Sequence, residues 1–150
     1  MIKKLRDSIR ALELMAKKEA IELDELYVNT SQAKEQYDNA VYIRNLLIRE
    51  TEQVEALLRS VMQGDDKLEL REWQQIREYL EEKLSVLKQR EMLVKESEEN
   101  YNHARNKLIE KSRRTKKIEK LHGTKTKKIN YQLEVKEYAA VDDLVSQRRR

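Results

Sequence analysis

Two histidines, two pairs of adjacent carboxylates and a dense run of cations are the residues of this chain with chemistry to offer. His103 and His122 stand too far apart on one helix to hold a metal ion together, and both are expected to be exposed polar residues. Asp65-Asp66 and Glu98-Glu99 lie in strongly polar surroundings. General acid-base work needs an environment that drives two carboxyl pKa values apart, and no apolar pocket is in view to do it. These four residues read as capping and solubilising groups. A nucleophile with a supporting base, a dinucleotide-binding fingerprint and a P-loop are all missing, so no active site, cofactor or metal is expected and the chain reads as a non-enzyme. Cysteine is absent, which fits a reducing compartment.

The cations are concentrated. Residues 111–128 hold nine Lys or Arg and one acid, while residues 1–18 hold six basic and two acidic residues. Phosphates or an acidic protein surface could be held by such groups. No aromatic residue is interleaved among Lys111, Arg113, Arg114, Lys116, Lys117 and Lys120, so a base-stacking platform is lacking and specific nucleic-acid recognition is not expected.

What positions these groups is a pattern of apolar residues. Steps of four and three from Leu5 give Ile9, Leu12, Ala16, Glu19, Leu23, Leu26, Thr30, Ala33, Tyr37, Ala40, Arg44, Leu47, Thr51, Val54, Leu58 and Val61. Thirteen of the seventeen positions are apolar, which makes a narrow stripe on one helix face that must be covered by another helix. A second line runs through Trp73, Leu80, Leu87, Val94, Tyr101 and Leu108, with Leu84, Ala104 and Ile118 as a weaker companion. Two glycines, no proline and no phenylalanine, with 40% charged residues, argue against sheets and against a spherical core. The fold class expected is all-α: a long antiparallel two-helix coiled-coil hairpin with a C-terminal extension, helical or disordered.

The hairpin is expected over residues 1–122, with its turn at 63–67. Gly64 would close the first helix, and Asp66 with Glu69 has the spacing of a capping box for the second. Folding back there brings together residues whose numbers sum to about 130, pairing Leu84 with Leu47, Leu87 with Ile43, Val94 with Tyr37, Leu108 with Leu23 and Leu121 with Ile9. Gly123 reads as a second helix stop and Thr124 as the cap of a third segment within the extension, 123–150. An exposed ion pair is expected near Glu78 and Lys83. The longest aliphatic stretch, Leu46-Leu47-Ile48, is far below the roughly 20 residues of a membrane span, and the opening residues lack an apolar signal region. A cytoplasmic location follows as the expectation.

Gln32-Ala33-Lys34-Glu35-Gln36 and Glu72-Trp73-Gln74-Gln75-Ile76-Arg77-Glu78-Tyr79-Leu80 are the two stretches with a familiar look. The first is similar to a Q-A-x-E-Q stretch, and the second to an aromatic-Q-Q-aromatic-x-x-x-L stretch, of the FliJ/SctO family of type III secretion stalk proteins, which the chain resembles over most of residues 1–122. Met1-Ile2-Lys3-Lys4-Leu5-Arg6 resembles the virulence injectisome branch more than the flagellar one. The chain departs from the pattern where the second aromatic is Ile76 and where a small residue becomes Lys83.

The resemblance implies a central stalk without an active site, located in the cytoplasm and peripherally associated with the inner-membrane secretion apparatus. Its partners would be the hexameric type III secretion ATPase, the cytoplasmic domain of an export gate of the FlhA/SctV type, and export chaperones, and its role would be to promote protein export. Carried over by the two motifs, the gate contacts are Gln36, Ala40, Ile43, Leu47, Ile76, Leu80, Lys83 and Leu87. A shaft enters its ring by one end, and the charge map assigns ATPase docking to Lys3, Lys4, Arg6, Arg10, Arg113, Arg114, Lys116, Lys117 and Lys120. The alternatives are a coiled-coil scaffold or chaperone-binding protein of another pathway, or a basic RNA-binding hairpin.

Overall fold

The computed structural model describes residues 2–63 and 70–149. Two α-helices occupy almost all of them, α1 (Ile2–Gln63, 62 residues) and α2 (Leu70–Arg148, 79 residues), and they pack against each other as an antiparallel hairpin. With no proline to remove an amide and, among the described residues, none at positive φ, nothing in either helix interrupts the hydrogen-bond ladder. Gly64 and the Asp66–Glu69 box lie outside the described residues.

The pair divides into two compact units, the first formed by residues 1–27 and 107–150 and the second by residues 28–106. In each, the α1 stripe faces α2 as the spacing requires: all seventeen positions from Leu5 to Val61 are buried or half-buried, the polar ones included. Thr51 is tolerated there because its hydroxyl donates to the Leu47 carbonyl at 2.7 Å, and Thr115 on α2 does the same to Lys111 at 2.9 Å. A threonine bonded to its own helix presents little more than a methyl group to the seam. Apolar burial is thin. Val94 in the second unit, and Ile118 and Ile129 in the first, are the buried apolar side chains among the described residues.

The α2 side of the seam corrects the sequence in one line. Trp73, Leu80, Leu87, Val94, Tyr101 and Leu108 face α1, but their companions are Ile76, Lys83, Arg90, Ser97, Ala104, Lys111 and Ile118. Leu84 is 42% exposed and falls off the line. The register shifts with it. In the second unit Lys83 meets Glu50, Ala104 meets Thr30 and Tyr101 stacks on Tyr37 with ring centroids 6.3 Å apart, so paired numbers sum to 133 to 138. In the first unit Lys111 meets Glu19 and Glu22, and His122 meets Glu13, giving 130 to 135. Most pairs thus lie about one helical turn from the expected alignment, and Ile43, at 37% exposure, and Leu121, at 53%, are exposed rather than seam residues. A register set by a turn at 63–67 had paired Leu84, which faces outward, with Leu47.

Gly123 is not a stop. Helix α2 runs through it without positive φ, and Thr124, instead of capping a new segment, donates its hydroxyl back to the Lys120 carbonyl at 2.9 Å. A glycine lowers helix propensity but ends a helix only when a left-handed residue is required there. The extension is therefore helical through Arg148.

Candidate docking surfaces

In the first unit the seam contains an ion cluster that sequence reasoning missed. Lys111 Nζ lies 2.5 Å from Glu19 and also donates to Glu22. Glu19 is only 7% exposed, a position that a carboxylate occupies at reasonable cost only beside a cation. Hydrogen bonds to Glu19 and then Glu22 hold the Lys111 ammonium above its ordinary pKa, and the bond from Lys111 holds Glu22 below the usual carboxylate range. The signal was present in the spacing, since Glu19 falls on the α1 stripe as a polar residue and Lys111 lies five heptads after Ile76 on the companion line of α2.

Lys111 is thereby occupied, and the nine cations assigned to docking differ from it in this respect. Lys3, Lys4, Arg6, Arg10, Arg113, Arg114, Lys116, Lys117 and Lys120 are all exposed, and no ion pair among the described residues involves any of them. Lys3, Arg6 and Arg10 follow one another at three- and four-residue spacing, so they share one face of α1. With Asp7, Ile9, Glu13 and Ile129 they line an open groove of about 400 Å³. On α2, Arg113, Lys116, Lys117 and Lys120 have the same spacing and form a second cationic face. His122, expected to be exposed, is instead half-buried, with Nε2 3.4 Å from Glu13 Oε1 across the seam, and Glu119 lines the same small groove.

The second unit contains all eight residues assigned to gate contact, and the helix pairing separates them. Ala40, Leu47, Ile76, Leu80, Lys83 and Leu87 are half-buried on seam lines, whereas Gln36 and Ile43 are exposed. Lys83 pairs with Glu50 across the helices at 3.3 Å, not with Glu78, and its ammonium lies 5.4 Å over the Tyr79 ring. The hydrogen bond to Glu50, with Tyr79 assisting, raises its pKa.

Among the described residues no helix is long and apolar enough to cross a membrane. No family model, curated protein or solved structure matches the chain.

Proposed function

We propose that the chain is a non-enzymatic stalk of a type III secretion system that links the hexameric export ATPase to the export gate, docking the ATPase through the cations of its first unit. The observation that supports this most is the exposure of all nine assigned cations beside a seam cation, Lys111, that is already paired. Cations that form no ion pair within the chain are available to steer and hold an acidic surface. The resemblance of Gln32–Gln36 and Glu72–Leu80 to the stalk family supplies the identity of that surface. Gate contact is proposed for the second unit, centred on Gln36 and Ile43, because a side chain facing the other helix is not available to a partner.

The test is co-purification with the hexameric ATPase, read out as stimulated ATP hydrolysis. Lys116→Glu, Lys117→Glu and Lys120→Glu together should abolish stimulation while far-ultraviolet circular dichroism stays unchanged. Full stimulation by the triple variant at low salt would remove the cations from the docking surface. Absence of any stimulation by the wild-type chain, with salt-sensitive RNA binding in its place, would select the basic-hairpin alternative.

A further inference from the structure

The register of the second unit's seam brings two arginines to one layer. Thr30 Oγ1 donates to the Ala104 carbonyl across the helices at 3.3 Å. Two heptads along α1 from Thr30 is Arg44, and two heptads back along α2 from Ala104 is Arg90, so in antiparallel helices the two arginines fall in the same layer. Lys83 and Glu50, one heptad from Arg90 and six residues from Arg44, pair in the same register. Both arginines are half-buried.

Two other seam cations are matched by carboxylates, Lys83 by Glu50 and Lys111 by Glu19 and Glu22. Lys125, half-buried one heptad beyond Ile118, is in no ion pair among the described residues, and Arg44 and Arg90 are likewise unmatched. No ion pair among the described residues involves either of them, although Glu91 adjoins Arg90 in sequence. Arg44 Nε is buried without a hydrogen-bond partner, and a terminal nitrogen donates to the exposed Asn45 Oδ1 at 3.3 Å. A buried donor left unmade and two like charges in one layer both oppose folding, so the arrangement is costly as it stands. A planar guanidinium presents parallel N–H groups that match the two oxygens of a carboxylate or phosphate, and two guanidinia in one layer can grip one such group.

We propose that Arg44 and Arg90 form an oxyanion site in the seam, completed by a carboxylate or phosphate group from outside the hairpin. The exposed apolar side chains of Ile43 and Leu46 adjoin it on α1 and would border the incoming group. The site goes beyond the docking role and does not depend on it.

Thermal unfolding of the full chain tests the proposal, with inorganic phosphate as the probe against sodium chloride at equal ionic strength. Phosphate at ten times its dissociation constant should raise the wild-type Tm by roughly 3 °C more than that of the Arg44→Leu, Arg90→Leu variant, which also absorbs any general salting effect. Without phosphate that double variant should melt higher than wild type, since the repulsion is gone. Arg44→Lys with Arg90→Lys keeps the charges and removes the forks, and should retain less than half of the phosphate increment. An N-acetyl-glutamyl-leucine dipeptide distinguishes the source: a larger effect than phosphate at equal concentration indicates a carboxylate borne by a polypeptide, and a smaller one a free phosphate-type anion. Equal phosphate increments in wild type and the leucine variant, or a full increment in the lysine variant, would overturn the site.

Discussion

At the scale of single residues, Lys111 organises the first unit. Its ammonium is shared by Glu19 and Glu22, and the pH dependence follows from the two shifts. Glu22 titrates below the ordinary carboxylate range when folded, so its contribution is present at neutral pH and is lost as pH falls through its folded pKa. Lys111 titrates above the ordinary ammonium value, so its contribution is complete at neutral pH and is lost only as strongly alkaline pH passes its folded pKa. The wild-type Tm is therefore expected to fall between pH 7 and pH 3. Lys111→Met should melt lower than wild type at pH 7 and show a smaller acid-induced loss, measured by circular dichroism at 222 nm. An unchanged acid loss in the variant would assign that loss to other carboxylates.

The element scale is where reading the sequence succeeded and failed for definable reasons. The α1 stripe was legible because its residues are mostly aliphatic or alanine and its four polar interruptions, Glu19, Thr30, Arg44 and Thr51, fall on the same heptad lines, although Ile43, expected beside Leu87, lies off it and is exposed. Helix α2 was legible on its Trp73–Leu108 line and, on the companion line, at Ala104 and Ile118. The companion line contains Lys83, Arg90, Ser97 and Lys111, whose polarity concealed it, and Leu84 stood in as a false member. Ile118→Ala should cost about 2 to 4 kcal/mol and Leu84→Ala less than about 1 kcal/mol in urea unfolding. The reverse order would restore Leu84 to the seam. Gly123 was misread because a glycine in a polar stretch looks like a stop. In the folded chain it sits inside a helix with open space where a Cβ would be. Gly123→Ala should therefore stabilise α2 by about 1 kcal/mol in the same assay, and a destabilised variant would mean that the helix needs a break there.

For the molecule as a whole, the all-α hairpin was legible because composition excludes the alternatives, while the positions of its free and occupied cations were not. Charge runs specify how many cations a stretch holds, but only the pairing of helices tells that Lys111 is neutralised and that Lys116, Lys117 and Lys120 are left exposed. Every docking assignment rests on α1 and α2 of one chain lying antiparallel, so that residues 1–18 and 111–128 share the first unit. The most direct measurement is a dipolar distance between spin labels at Ala11→Cys and Leu121→Cys, two exposed positions in a chain with no cysteine of its own. Antiparallel closure gives an intramolecular distance below about 30 Å that persists when labelled protein is diluted with unlabelled chain. Helices that failed to fold back would separate the labels by up to about 160 Å, so the loss of any short distance on dilution would contradict the hairpin and the docking surface built on it.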